Sequence, residues 1–130
     1  FPIHPRTRLR MAEFDLLERL DGMPNLRVTP PLGYLDFLSL MAEARLVLTD
    51  SGGIQEETTV LGVPCLTLRK NTERPVTISA GSNQLVGVEL EAILAAARRV
   101  LNKAATAGYK IPELWDGRAA ARIAETLANY

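Results

Sequence analysis

Net charge is the first thing this chain lacks. Its 15 Lys and Arg balance 15 Asp and Glu over 130 residues. With no global basic field to hold a phosphate backbone, no nucleic-acid partner is expected. Cysteine is nearly absent. A lone Cys65 excludes an internal disulfide and a Cys-only metal site, and fits a reducing compartment. Histidine is equally scarce, and His4 alone cannot build a zinc centre, so no metal site is expected. No apolar run approaches the roughly 20 residues needed to cross a bilayer. No basic segment precedes an apolar one at the start, so neither a signal peptide nor a membrane partner is expected. These absences point to a cytoplasmic protein. What remains is an ordinary globular composition, 47% hydrophobic, long enough for one domain with its own core.

Along the chain, strand-length apolar stretches alternate with amphipathic helical ones. Strands are expected at Phe1–Ile3, Leu26–Thr29, Arg45–Thr49, Cys65–Leu68 and Gln84–Val86. Helices are expected at Thr7–Leu20, Tyr34–Ala44, Gly53–Leu61, Val76–Ala80, Leu90–Ala105 and Gly117–Asn129. Such alternation predicts an α/β fold, a parallel sheet with helices on both faces. Ligands in that architecture bind at the carboxyl ends of the strands, where His4, Ser51-Gly52-Gly53 and the Arg69–Pro75 loop all fall. With no linker or repeat, the chain reads as a single domain over residues 1–130. Phe1-Pro2-Ile3 reads as the end of a strand already under way, so a longer parent protein is expected.

The most informative segment is Leu46 to Glu57: an apolar strand, a Ser51-Gly52-Gly53 turn, then a helix start. The first backbone N–H groups of a helix have no partner inside it, and the dipole is positive there. Glycines let a bound group approach without a Cβ in the way. Together these make an anion site, most often for phosphate. On spacing alone the turn is equally a plain strand–helix connection. It is neither a P-loop, since no Gly-Lys-Ser/Thr follows, nor the dinucleotide fingerprint.

Glu56 and Glu57 follow, about 100° apart around a helix, so only one faces the turn and the other is a solvated charge. A carboxylate there suits a sugar hydroxyl rather than a phosphate, and the combination suggests a nucleotide. Asp50 reads as a hydrogen-bond acceptor for the turn. A phosphoacceptor role would call for acids at the first strand end, and Phe1-Pro2-Ile3-His4 has none. Arg74, partly neutralised by the adjacent Glu73, suits a phosphate or a carboxylate partner. His4, between two prolines, is either a loop residue or a donor to phosphate. Phe37 reads as core. Leu90, Ile93, Leu94, Ala97 and Leu101 read as a core stripe, and Trp115 as an anchor for the last helix.

Several segments occur in order: Phe1-Pro2-Ile3-His4-Pro5-Arg6-Thr7, Pro31 to Phe37, Leu48 to Glu57, Gly62-Val63-Pro64-Cys65, Asn71-Thr72-Glu73-Arg74-Pro75, Gly81 to Gly87 and Asp116-Gly117. Together they resemble the C-terminal half of the non-hydrolysing UDP-N-acetylglucosamine 2-epimerases over almost the whole chain. The resemblance implies a Rossmann-like domain, the C-terminal half of a GT-B-type two-domain fold, that holds the UDP part of the substrate. It assigns Ser51, Gly52 and Gly53 to the diphosphate and Glu57 to the ribose hydroxyls. Phe37 would lie beside the uracil, His4 would contact the diphosphate or leaving group as the catalytic candidate, and Arg74 would line the cleft. Leu32 departs from relatives that carry a polar residue there. The implied reaction removes the proton at sugar C2 and expels UDP from C1 to give a glycal, and UDP then adds back with protonation on the other face. It needs no cofactor. The bases would come from an absent N-terminal domain, so the isolated domain is expected to bind uridine nucleotide weakly and not to turn over. The full-length protein is expected to be a homodimer. Two rivals stay open: the UDP-sugar half of a GT-B glycosyltransferase, and a non-catalytic nucleotide-sensing domain.

Overall fold

The computed structural model describes residues 1–102 and 109–130. They fall into two compact units, residues 1–39 and residues 40–130.

In the first unit, α1 spans Pro5–Glu13 and α2 spans Leu17–Asp21. One helix was expected across this stretch. It breaks because Asp15 takes a left-handed backbone, φ 52°, a conformation that a short polar side chain tolerates better than most. Asp15 N–H then donates to Ala12 O at 3.2 Å and Leu16 N–H to Met11 O at 2.9 Å. That is the paired closure of a Schellman stop. The expected strands Phe1–Ile3 and Leu26–Thr29 are reduced to one parallel bridge between Pro2 and Thr29. Pro2 has no N–H to donate, and Pro30 and Pro31 follow Thr29 directly, so no ladder can extend. Ile3 N–H donates to Thr29 O at 2.9 Å, and its side chain is buried. The helix α3, Tyr34–Ala42, spans the boundary between the units.

The second unit carries β1 (Val47–Thr49), α4 (Gly52–Leu61), β2 (Cys65–Thr67), α5 (Pro75–Ser79), β3 (Asn83–Leu85), α6 (Leu90–Asn102) and α7 (Ala119–Ala128). The strands form a parallel sheet in the order β1-β2-β3. Its registers are Val47–Cys65–Asn83 and Thr49–Thr67–Leu85. This is the expected α/β alternation. The central strand β2 is buried along its whole length and packs against both α4 and α6.

Helix α4 stops where Gly62 turns left-handed at φ 68°; Val63 N–H donates to Thr58 O at 2.9 Å. Pro75 opens α5, where a missing N–H costs nothing. The expected helix Leu90–Ala105 is seen through Asn102, and its last three residues lie outside the described ones. Its inner face differs from the expected stripe. Leu90, Leu94 and Leu101 are exposed, whereas Ala96 is fully buried. Ile93, Ala96, Ala97 and Val100 keep helical spacing with a small residue at the centre, which lets the helix approach its neighbours closely. Gly81, between α5 and β3, is a packing glycine. A Cβ there would lie 2.5 Å from Thr77 O and 2.6 Å from Thr59 Oγ1. Burial pushes the Cys65 thiol up, partly opposed by the hydroxyls of Thr58 and Thr67.

Candidate functional site

The carboxyl ends of β1 and β2 feed two loops of the second unit, and the site grows from them. After Thr49, the chain turns through Asp50 and Ser51 into the start of α4. Ser51 sits at the N-cap with an extended backbone, φ −80° and ψ 135°, and its hydroxyl makes no capping bond. The side chain that would ordinarily satisfy the helix start is therefore left free, at a place where backbone N–H groups lack intrahelical acceptors. The turn is held instead by Thr49, whose Oγ1 accepts from Ser51 N–H at 3.1 Å. Asp50, expected to be that acceptor, is exposed.

The glycine pair is open. A Cβ built on Gly53 would meet nothing within 4 Å, and one on Gly52 only Glu73 Oε2 at 3.9 Å. Nothing in the protein's own packing requires glycine at either position, in contrast to Gly81. The positive end of α4 is thus exposed, uncapped and free of Cβ atoms, which is the physical specification of an anion site.

The loop after β2 supplies charge beside it. Arg74 Nε lies 2.7 Å from Glu56 Oε1 of α4. Nε is buried, and this contact is electrostatic rather than an aligned hydrogen bond. Arg69 pairs with Glu73 at 3.2 Å. Two expectations are corrected here. Glu56 is not a free solvated charge, and Glu73 neutralises Arg69 rather than Arg74. Glu57, the next residue on α4, is half-exposed and forms no ion pair among the described residues.

Beneath these charges lies a polar network that sequence reasoning missed. Gln55, Thr58 and Thr59 are completely buried, whereas Val60 on the same helix is half-exposed. Gln55 Nε2 donates to Ser51 O at 3.1 Å, and its Oε1 accepts from Thr72 Oγ1 at 2.6 Å and from Asn83 Nδ2 at 3.0 Å. Asn83 Oδ1 accepts from Thr67 Oγ1 at 2.6 Å. The only signal in the sequence was the spacing of Gln55, Thr58 and Thr59 on one helical face, which by polarity reads as the solvent side.

His4 and Phe37 belong to the first unit, whereas Ser51, Gly52, Gly53, Glu57 and Arg74 belong to the second. His4 is the N-cap of α1. Its Nδ1 accepts from Arg6 N–H at 3.2 Å, so the neutral ring carries its proton on Nε2. The exposed ring therefore combines a helix cap with a free N–H donor. Phe37, on α3, is half-buried. Among the described residues, no group of three or more His, Cys, Asp or Glu is placed to hold a metal, and no helix is long and apolar enough to cross a membrane.

Comparison with known proteins gives this geometry a context. The pattern of the UDP-N-acetylglucosamine 2-epimerase family matches residues 1–128. A UDP-N-acetylglucosamine 2-epimerase of Methanocaldococcus jannaschii is 50% identical over 103 residues, covering 79% of this chain and 28% of the relative. The crystal structure of the M. jannaschii UDP-GlcNAc 2-epimerase, in complex with UDP-GlcNAc and UDP, superposes with a TM-score of 0.84. It is 43% identical and covers 100% of this chain and 35% of that one. A UDP-2,3-diacetamido-2,3-dideoxy-D-glucuronate 2-epimerase of Pseudomonas aeruginosa is 39% identical over 128 residues, covering 98% of this chain and 34% of the relative. The chain thus spans about a third of the length of the relatives it matches. From its sequence and from its fold, the chain belongs to the UDP-N-acetylglucosamine 2-epimerase family.

Proposed function

We propose that this chain is the uridine-diphosphate-holding part of an enzyme that interconverts UDP-N-acetylglucosamine and UDP-N-acetylmannosamine. The observation that carries the reading is the start of α4: an uncapped helix N-terminus, a free Ser51 hydroxyl and two glycines with open space where a Cβ would stand. The diphosphate is assigned to the Ser51, Gly52 and Gly53 backbone and the Ser51 hydroxyl, with Arg74 beside it. Glu57 accepts hydrogen bonds from the ribose hydroxyls, and Phe37 lies beside the uracil. His4 donates from Nε2 to the diphosphate as it leaves.

In this mechanism the C2–H bond breaks and the C1–O bond to UDP breaks with it, leaving a glycal and free UDP. UDP then re-forms the C1–O bond as C2 is protonated on the opposite face. No electron is gained or lost overall, so no redox cofactor is called for. The chain's contribution is electrostatic: a fixed dipole and the Arg74 cation aimed at the charge that develops on the departing diphosphate. The carboxylate bases for C2 are assigned to the part of the relatives this chain does not span, and the whole protein is proposed to be a cytoplasmic homodimer. The single buried thiol of Cys65 fits that compartment.

Turnover in deuterium oxide tests the reading. The full-length protein should return UDP-sugar labelled at C2 and release traces of UDP. UDP-sugar that stays unlabelled during turnover would overturn the elimination mechanism.

A further inference from the structure

The backbone of Arg74 is held on both sides by hydroxyls. Its N–H donates to Thr72 Oγ1 at 3.0 Å, and its C=O accepts from Thr77 Oγ1 at 2.7 Å. Each hydroxyl is itself tied to a buried amide. Thr72 Oγ1 donates to Gln55 Oε1 at 2.6 Å, and Thr77 Oγ1 accepts from Asn83 Nδ2 at 3.1 Å. Asn83 Nδ2 also donates to Gln55 Oε1 at 3.0 Å, and Gln55 Nε2 donates to the Ser51 carbonyl at 3.1 Å. Every hydroxyl in this circuit both donates and accepts, so its hydrogen directions are mutually fixed. The circuit runs from the N-cap of α4 to the main chain of the one arginine that the neighbouring carboxylate Glu56 also holds. A network needed only to fill the core would not have to end on both main-chain groups of one residue. Gln55, Thr77 and Asn83 are buried, and Thr72 is half-buried beside them; buried polar groups are costly unless all are satisfied, and an apolar core would be the simpler solution.

We propose that Gln55, Thr72, Thr77 and Asn83 are positioning residues that lock Arg74 at a fixed distance from the Ser51 turn, so that the guanidinium and the helix start address the same diphosphate. This rests on the assignment of the diphosphate to that turn. The hydroxyl of Thr72 is the sensitive link, because it alone joins the Arg74 N–H to Gln55. Thr72→Val keeps the shape and removes both hydrogen bonds, and Thr72→Ser keeps both.

The test is a double-mutant cycle on the full-length protein, read as affinity for UDP and for uridine, with melting temperatures to confirm folding. Arg74→Ala should weaken UDP about tenfold or more and leave uridine unchanged, as expected for loss of a charge-assisted contact to phosphate. Thr72→Val should weaken UDP several-fold, Thr72→Ser should restore wild-type affinity, and in the Arg74→Ala background Thr72→Val should change nothing further. Losses that simply add, or a Thr72→Val variant that binds UDP normally while Arg74→Ala does not, would overturn the positioning role alone. Unchanged UDP affinity in Arg74→Ala would overturn the diphosphate assignment and this proposal with it. If Thr72→Val fails to fold, Thr72→Ser decides the matter, since a loss as large as that of Arg74→Ala would contradict the role of the hydroxyl.

Discussion

Replacing Gly53 by Ala separates a structural glycine from a functional one. Gly53 is the second residue of α4, with nothing within 4 Å of where its Cβ would stand. The new methyl therefore meets no steric cost in the folded protein. Ala in a helix is favoured over Gly by up to about 1 kcal/mol in the interior, and the less free unfolded chain contributes about 0.4–1 kcal/mol of that preference. In the first turn the gain should be about 0.5 kcal/mol, a rise of roughly 2 °C in melting temperature for a chain of this size. The same methyl tilts toward the N-terminal end of the helix, where the diphosphate is assigned. It would hold the phosphate off the backbone N–H groups and weaken or remove charge-assisted hydrogen bonds worth roughly 1.5–3 kcal/mol each. UDP affinity should fall at least about tenfold. The assays are thermal unfolding and calorimetric titration of the same preparation. Higher stability with lower affinity confirms the reasoning. Higher stability with unchanged affinity would refute it, because the glycine would then serve neither packing nor ligand approach.

Glu57→Ala should weaken UDP about tenfold by removing a charged acceptor for the ribose, and Glu56→Ala should cost less because Glu56 faces Arg74; equal losses in titration would contradict the division of roles. Gly81→Ala should lower stability by about 1–3 kcal/mol in denaturant unfolding, since its Cβ would press on the backbone oxygen of Thr77 and on the buried Thr59. An unchanged midpoint would show that the α4–α5 contact yields. His4→Ala should destabilise by about 1 kcal/mol through loss of the α1 cap. His4→Asn should keep the cap yet still lose UDP affinity relative to uridine, and normal UDP affinity in that variant would make His4 a cap only.

The parts legible in the sequence were those governed by local rules. The strand–turn–helix at Leu46 to Glu57 could be read because apolar residues, glycines and carboxylates each have one obvious place there. The strand that opens at Cys65, just after Gly62-Val63-Pro64, and the helix stop at Gly62 followed for the same reason. What escaped reading depended on partners far along the chain. Nothing local says that Gln55 is buried, because its partners Thr72 and Asn83 lie 17 and 28 residues away. The Glu56–Arg74 pair is equally non-local, and adjacency misleadingly joined Glu73 to Arg74. The break at Asp15 was missed because a non-glycine residue in the left-handed region is a minority choice that leaves no compositional mark. The face of α6 was misread because Ala96 carries less hydrophobic weight than the leucines around it, yet fits where they cannot.

The measurement that bears most directly on the account is calorimetric titration of the full-length protein with UDP, against uridine and ADP. UDP should bind well above both, since only UDP offers the diphosphate to α4 together with the base expected beside Phe37. UDP that binds no better than uridine would leave the Ser51-Gly52-Gly53 turn as a strand–helix connection without a ligand, and would contradict the proposed function.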